Sequence, residues 1–178
     1  MSGRDAFGNP GAQDERIACV EKAKTGDRQA FGELIQTFQE DIFRMVYYRT
    51  GSDMDAEDLT QEIFLKAFDS LPGLKDPGMF RSWLYRIAVN RVHDHHRRKR
   101  FRAFFTSGAD PDVSEREDIR QEGEDALDQM VKKEFWQQVG AFMQRLSHQE
   151  REVFQLRFMD HLGIAEISQV LGKNESTI

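Results

Sequence analysis

The segment from Phe80 to Arg100 carries side chains that are suited to binding a nucleic acid. It reads FRSWLYRIAVNRVHDHHRRKR, so that aromatic residues and an asparagine precede four consecutive cations. Guanidinium and ammonium groups bind phosphates, an amide can bond to a base edge, and aromatic rings can stack on unpaired bases. The residues expected to make such contacts are Arg86, Asn90, His93, Arg97, Arg98, Lys99 and Arg100.

A metal site is the alternative use of this segment. The sequence HDHH at residues 93–96 contains a His-Asp pair like that of metal-dependent phosphohydrolases, and His93 and His96 could face one divalent ion. Such a site needs further ligands, but His148 and His161 lie in another part of the chain without a matching motif. An HD-type metal phosphohydrolase is therefore the least favoured function, and metal analysis of the purified chain would test it.

Other enzyme signatures are missing from the sequence. It has no glycine-rich phosphate loop and no Gly-x-Ser-x-Gly elbow, and its single cysteine, Cys19, falls in an expected amphipathic helix. We therefore expect no catalysis, no cofactor and no metal. One cysteine cannot form an internal disulfide, and no segment approaches the roughly 20 apolar residues of a membrane span. A cytoplasmic protein without a membrane span is expected.

Charge is distributed unevenly along the chain, whose formal net charge is −6. Cations dominate from Arg81 to Arg102, whereas acids dominate from Asp110 to Asp128. A local cationic face can bind a polyanion although the whole chain is acidic, and the acidic stretch has the composition of a solvated linker.

The elements that position these side chains are predicted to be helices. Apolar residues recur at intervals of three and four through most of the chain, and no stretch alternates like a strand. The predicted fold is all-α, with two small helical domains joined by an acidic flexible linker, the second ending in an incomplete helix-turn-helix. The predicted segments are a disordered tail at 1–14, a first domain at 15–102, the linker at 103–126 and a second domain at 127–178.

The helix that starts at Phe80 is expected to pack by one face and to bind by the other. Its apolar stripe contains Phe80, Leu84, Ile87, Ala88 and Val92, with Trp83 at the edge. The polar stripe opposite contains Ser82, Arg86, Asn90, His93 and Arg97.

The C-terminal sequence MDHLGIAEISQVLGKNESTI has the layout of a helix-turn-helix. It predicts a short helix from about Ile164 to Leu171, a glycine at Gly172, and a second helix that starts near Ser176 after the capping sequence NES. In such motifs the second helix enters the DNA major groove. An ordinary helical hairpin is the alternative interpretation of this segment.

Two long motifs together resemble a known family. DAEDLTQEIFLKAF is followed by FRSWLYRIAVNRVHDHHRRKR, an acidic stretch and LSHQEREVFQLRFMDHLGIAEISQVLGKNESTI. This order resembles a bacterial RNA polymerase sigma factor of the extracytoplasmic-function (ECF) group, over about residues 15 to 178. The resemblance implies that residues 15–102 are sigma domain two and that residues 127–178 are sigma domain four.

The resemblance implies binding to core RNA polymerase, through its β′ clamp helices and its β flap. The helix that contains Asp55 to Phe68 would dock on the clamp helices, through Asp55, Asp58, Gln61 and Glu62. A merely solvated charged face is the alternative for this helix. A DNA-binding regulator that never engages polymerase is the competing function, and it leaves this face unexplained.

The resemblance also implies promoter contacts. A flipped base of the −10 element would lie in a pocket bordered by the loop Gly73 to Met79, which includes Lys75 and Asp76, with Asn90 nearby. The cations from Arg97 to Arg100 would neutralise phosphates of the adjoining duplex.

Contacts with the −35 element are expected at Lys173, Ser176 and Thr177, with Arg151 and Arg157 as further backbone contacts. The chain ends at Ile178, where the recognition helix has barely begun. We therefore expect either a C-terminally truncated form or a protein that does not read a −35 element in the usual way. The acidic stretch would enter the polymerase cleft or serve as a plain tether, and an anti-sigma factor is a further implied partner.

Overall fold

The structure is a computed structural model that describes residues 10–106 and 138–178, and its regular elements in these ranges are all helical. The helices are α1 (Pro10–Lys24), α2 (Arg28–Thr50), α3 (Asp53–Ser70), α4 (Phe80–Thr106), α5 (138–145), α6 (His148–Phe154) and α7 (Ile164–Leu171). Short 3₁₀ turns occupy Leu71–Gly73, Pro77–Met79 and Glu175–Thr177, and a π-helical turn, Gln155–Met159, continues α6. The all-α prediction is confirmed.

Local capping residues explain where several helices begin and end. Asp27 Oδ1 accepts hydrogen bonds from the backbone N–H groups of Gln29 and Ala30, at 2.9 and 3.1 Å, and so starts α2. Gly51, with φ of 70°, ends α2 in the left-handed region. Ser147 and Glu150 form a reciprocal capping box at the start of α6.

Two helices extend beyond the predicted segment boundaries. Helix α1 begins at Pro10, inside the predicted disordered tail 1–14, because proline is well tolerated in the first turn of a helix. Helix α4 continues to Thr106, inside the predicted linker 103–126, because FRAFF contains no helix breaker. The rest of the predicted linker and residues 127–137 lie outside the described residues.

A single apolar cluster joins the N-terminal and C-terminal helices. Helices α1 to α4 contribute fully buried residues such as Ile42, Ile63 and Leu84. Leu162 and Ile167, near the C-terminus, belong to the same cluster and are 0% exposed. The predicted apolar stripe of α4 is buried at Phe80, Leu84, Ala88 and Val92 and partly buried at Ile87 and Trp83. Among the described helices, none combines the length and the apolar character needed to span a membrane.

Candidate nucleic-acid and protein interfaces

The solvent side of α3 presents a stripe of acidic, amide and apolar side chains. Met54, Asp58, Gln61 and Leu65 follow one another at intervals of four, three and four residues, which places them on one side of the helix. Asp58 and Gln61 are exposed. Met54 and Leu65 are 74% and 68% exposed, although large apolar side chains normally turn inward. The sequence analysis missed these two residues, but their spacing from Asp58 and Gln61 is the signal that could have found them.

Asp55 and Glu62 lie at the edge of α3 that adjoins α4. Asp55 Oδ2 is 3.5 Å from His95 Nε2, and Glu62 Oε2 is 3.7 Å from Arg91 Nη1. Ser52 Oγ accepts a hydrogen bond from the Asp55 N–H at 3.2 Å and so caps the helix. These two carboxylates therefore connect the outer face of α3 to α4, while Asp58 and Gln61 point away from that junction.

The predicted −10 contacts divide into exposed and covered groups. Arg86, Asn90 and the four cations from Arg97 to Arg100 are exposed on α4, and Lys75 and Asp76 are exposed in the preceding loop. Asp76 Oδ1 accepts a hydrogen bond from the Gly78 N–H at 2.8 Å, which holds the Pro77–Met79 turn. Arg97 Nη2 donates to Asp94 Oδ1 at 2.9 Å, on the exposed surface of the same helix.

The polar stripe predicted on α4 is wrong at Ser82, which is only 3% exposed. Its hydroxyl is within hydrogen-bonding distance of the Met79 carbonyl oxygen, at 3.0 Å, and of Gln169 Oε1 on α7. His93 is also engaged, since its Nε2 lies 2.6 Å from Glu152 Oε1 on α6. The physical reason is that the C-terminal helices pack on this side of α4, a long-range contact that the periodicity of α4 alone does not reveal.

Two arginine–carboxylate pairs join the N-terminal helices to the C-terminal ones. Arg49 Nη2 donates to Asp160 Oδ2 at 2.7 Å, and both side chains are almost fully buried. Arg81 Nη1 donates to both carboxylate oxygens of Glu166, at 2.9 and 3.0 Å, and its Nη2 donates to the Asp160 carbonyl oxygen at 3.1 Å. Such charge-assisted bonds fix the orientation of the two halves.

The environment shifts the pKa values of buried Asp160 and half-buried Glu152 in opposite directions. Burial raises the pKa of Asp160 above its ordinary value, and the charge and hydrogen bond of Arg49 oppose that rise only in part. Burial also acts to raise the pKa of Glu152, but the hydrogen bond from His93 and the charges of His93, His148 and Arg49 outweigh it and lower that pKa. The Glu152 carboxylate is thus held in its charged form between two histidines.

The histidines of the HDHH segment contact neighbouring side chains rather than one common point. His93 pairs with Glu152, whereas burial, followed by the charge of His95, lowers the pKa of His96. In the part of the chain that the structure describes, no group of three histidine, cysteine or carboxylate side chains is arranged to hold a metal ion. Cys19 Sγ donates to the Ala30 carbonyl oxygen at 3.2 Å, and burial raises the pKa of its thiol.

The helix-turn-helix layout matches the prediction at its first helix. Helix α7 runs from Ile164 to Leu171 and ends at Gly172, whose φ is 64°. Asn174 then precedes a 3₁₀ turn, Glu175–Thr177, in which Ser176 and Thr177 are exposed, while Lys173 is half-buried.

Arg151 and Arg157 make contacts within the C-terminal helices. The Arg151 Nε donates to the Met143 carbonyl oxygen, and Arg157 Nη1 donates to the Leu162 carbonyl oxygen, each at 2.9 Å. Each guanidinium therefore already stabilises a turn of its own region.

A cavity of about 240 Å³ borders the loop before α4. Pro77 and Gly78 line it together with Arg16, Arg81 and Glu166. Asn90 is not among its lining residues, because nine residues separate it from Arg81 and this spacing turns it to the opposite side of α4.

Known protein families match two regions of this chain. The Sigma-70 region 2 family model matches residues 34–102, and the Sigma-70, region 4 model matches residues 136–178. The chain is 37% identical over 160 residues to the ECF RNA polymerase sigma factor BldN of Streptomyces coelicolor, covering 89% of this chain and 58% of BldN. It is 30% identical over 161 residues to the ECF RNA polymerase sigma-E factor of Escherichia coli, covering 85% of this chain and 80% of that protein.

A solved structure is similar in fold. The structure of CnrH in complex with the cytosolic domain of CnrY gives a TM-score of 0.64 at 21% identity, covering 91% of this chain and 86% of that one. The two family models match both the N-terminal and the C-terminal helices, and the likeness to the sigma-E factor covers most of each protein. The chain therefore belongs to the ECF group of RNA polymerase sigma factors.

Proposed function

We propose that this chain binds core RNA polymerase, directs it to a subset of promoters and stabilises strand opening at the −10 element. In this role it performs no catalysis itself and works in the cytoplasm, where transcription takes place. The observation that carries the proposal is the pair of exposed faces on α3 and α4, within the region that matches Sigma-70 region 2.

The α3 face supports the polymerase contact. Asp58 and Gln61 can pair with a basic or mixed partner helix, and Met54 and Leu65 supply apolar area at the two ends of the same stripe. Protein–protein interfaces combine apolar anchors with polar and charged contacts. Because Asp55 and Glu62 already contact α4, we assign them a smaller share of the binding.

The α4 face supports the promoter contact. Asn90 can donate and accept hydrogen bonds at a base edge, and Arg86 and the cations from Arg97 to Arg100 can bind phosphates. Lys75 and Asp76 lie in the loop that would border a flipped base. Ser176, Thr177 and Lys173 would contact the −35 element, and the β flap would receive the C-terminal helices.

An anti-sigma factor is a further proposed partner. The fold of this chain is similar to that of CnrH, which was solved in complex with the cytosolic domain of CnrY. A protein that covers the α3 face would prevent polymerase binding until a signal removes it.

The test is binding of the labelled chain to bacterial core RNA polymerase, measured by fluorescence anisotropy at two salt concentrations. We expect saturable binding that Asp58→Lys weakens at least about tenfold, because the substitution reverses the charge at the centre of the stripe. Glu40→Lys is the matched control, since Glu40 is an exposed acid on α2 and its reversal should leave binding unchanged.

Absence of binding by a folded chain would overturn the proposal. If that chain still bound DNA, a helix-turn-helix regulator that works without polymerase would replace it. Equal effects of Asp58→Lys and Glu40→Lys would reject α3 as the docking face.

A further inference from the structure

Two histidines and a glutamate meet where the N-terminal and C-terminal helices touch. His93 Nε2 on α4 is 2.6 Å from Glu152 Oε1 on α6, and His148 Nδ1 is 3.8 Å from Glu152 Oε2. The rings of His93 and His148 lie beside each other, with centroids 5.3 Å apart. These three residues are called the interface cluster below. The proposed function uses neither Glu152 nor His148.

The interface cluster is partly buried. The side chain of Glu152 is 16% exposed, whereas those of His93 and His148 are 41% and 75% exposed. Solvent can therefore exchange protons with both imidazole rings. Because partly buried charges are screened less than exposed ones, the contact between His93 and Glu152 depends strongly on whether the histidine is charged.

The charged groups that face Glu152 come from three helices. His93 on α4, His148 on α6 and Arg49 on α2 together lower the pKa of Glu152, although its burial acts to raise that pKa. Arg49 is also paired with Asp160, at 2.7 Å. The Glu152 carboxylate is therefore charged at neutral pH and available to a protonated histidine.

The other charged groups near this part of α4 make contacts within the N-terminal helices. Asp94 Oδ1 accepts a hydrogen bond from Arg97 at 2.9 Å, and His95 Nε2 is 3.5 Å from Asp55 Oδ2 on α3. Burial, followed by the charge of His95, lowers the pKa of His96. These groups do not connect the two halves of the chain.

Protonation determines the strength of the contact across the interface. Histidine side chains titrate between about pH 5 and 8, where the Glu152 carboxylate is charged. A protonated His93 forms a charge-assisted hydrogen bond with Glu152, whereas a neutral His93 forms only an ordinary one. The joined arrangement of the halves therefore favours the bound proton, so it is stabilised as pH falls and weakened as pH rises.

We propose that the interface cluster of His93, Glu152 and His148 is a pH-sensitive contact that holds the two halves together at acidic to neutral pH and releases them as pH rises. While Glu152 contacts His93, that part of α4 is covered by α6. The consequence for promoter binding rests on the proposed function, but the pH-dependent joining of the halves does not.

Asp160 has the opposite dependence on pH. Burial raises its pKa, so that acid neutralises this carboxylate and weakens its pair with Arg49. An interface controlled by Asp160 would separate as pH falls, whereas one controlled by the interface cluster would separate as pH rises. The direction of the change distinguishes the two.

The test is energy transfer within the free chain, between pH-insensitive dyes at Glu40→Cys and Glu175→Cys in a Cys19→Ser background. Both dye positions are exposed, and they lie in different halves. We expect the ratio of joined to separated molecules to fall at least about fivefold from about pH 6 to about pH 8.5. The same titration in an Arg81→Gln background weakens the other connection, so that a change is visible even if the unmodified chain stays joined.

Four variants locate the source of the pH dependence. His93→Gln and Glu152→Gln should each abolish it, because glutamine retains hydrogen bonding but carries no charge. His148→Gln should reduce it only in part, since that ring is mostly exposed and 3.8 Å from Glu152. His95→Gln is the matched control, because His95 lies two residues from His93 on α4 but faces Asp55 within the N-terminal helices. Its pH dependence should be unchanged.

Three results would overturn the proposal: transfer that is independent of pH in both backgrounds, an equal loss of pH dependence in His95→Gln, or transfer that rises with pH. Circular dichroism at both ends of the pH range should show the same helical content, so that a change in transfer reports separation and not unfolding. Since neither polymerase nor DNA is present, failure of the proposed function would leave this result unaffected.

Discussion

Tyr85 is a buried titratable residue in the second turn of α4, with only 1% of its surface exposed. Burial raises the pKa of its phenol, and the charge of Asp160 adds to the rise while that of Arg81 opposes it. The folded protein therefore retains the phenol proton at a pH where the unfolded chain, with a pKa near 10, releases it. Because the unfolded state then binds fewer protons, the free energy of unfolding falls as pH rises above about 10.

We predict that Tyr85→Phe removes this part of the alkaline destabilisation. In the wild-type protein, ionisation of Tyr85 in the unfolded chain should lower the free energy of unfolding by about 1.4 kcal/mol for each pH unit above roughly 10, the linkage value for one proton. The Tyr85→Phe variant should not show this part of the fall. Urea unfolding of both proteins at about pH 8 and about pH 11 measures it. Identical losses of stability between these two pH values would contradict the prediction.

His161 adopts a backbone conformation that side chains other than glycine rarely take. Its φ is 55°, and it follows Asp160 in the connection between the π-helical turn and α7. The left-handed region costs a residue with a Cβ about 1–2 kcal/mol, although histidine occurs there more often than most residues.

We predict that His161→Gly stabilises the protein by up to about 1 kcal/mol, because glycine removes the strain at the cost of a more flexible unfolded chain. His161→Ala retains the Cβ and should give no such gain. The midpoint of urea unfolding compares the three proteins. An equal gain in the alanine variant would show that the imidazole, and not the backbone, is responsible.

At the scale of the element, α3 combines charged and apolar side chains on its outer face. Leu65 is 68% exposed, four residues after Gln61. If polymerase covers this face, Leu65→Ser should weaken the complex by about tenfold or more, since a buried leucine contributes about 1.5–3 kcal/mol. Met79→Ser, at an exposed position of the turn before α4 and outside the proposed polymerase contacts, is the control and should change affinity little. Anisotropy with core polymerase measures both, and equal effects would contradict a specific role for Leu65.

The spacing of apolar residues and the helix-end signals in the sequence predicted most of the extent of α4 and both ends of α7. Leu84, Ala88 and Val92 are buried as expected, because a spacing of three and four residues fixes which side of a helix is apolar. The bounds of α7 were predictable because Gly172 supplies a left-handed end and a glutamate lies in the first turn. Such signals are local, so the sequence alone is sufficient to identify them.

The remaining features depend on contacts between distant residues. Ser82 was expected to be exposed and is buried, since Gln169 lies 87 residues away in the chain and covers it. Arg49 and Asp160 are 111 residues apart, and no local pattern links an arginine in α2 to an acid after α6. Leu65 and Met54 were overlooked although their spacing from Asp58 and Gln61 is a local signal.

At the scale of the whole molecule, one side of α4 contacts the C-terminal helices and another side is exposed to solvent. Its Arg81, Ser82 and His93 contact the C-terminal helices, whereas Asn90 and the cations from Arg97 onward face solvent. Buried apolar residues of both halves belong to one cluster. Separation of the halves would break several polar contacts and expose apolar surface together.

We predict that Arg81→Glu separates the two halves, because it replaces the ion pair of Arg81 and Glu166 with two facing carboxylates. The measurement is energy transfer between dyes at Glu40→Cys and Glu175→Cys, both exposed positions, in a Cys19→Ser background. Transfer efficiency should fall in Arg81→Glu and recover in Arg81→Glu/Glu166→Arg, which restores opposite charges.

Recovery in the double variant distinguishes a broken contact from a misfolded helix. If Arg81→Glu left the transfer efficiency unchanged, the ion pair would not hold the halves together. Failure of the double variant to recover would point to the capping role of Glu166 instead.

Glu166 would keep α7 folded while the halves move apart. Its Oε2 accepts a hydrogen bond from the Gly163 N–H at 2.8 Å, and this bond does not require Arg81. Separation would then be a hinge motion on the microsecond-to-millisecond timescale rather than a local unfolding event. Relaxation dispersion would detect exchange at the amides near Arg81, while the Gly163 amide would stay protected from hydrogen exchange throughout.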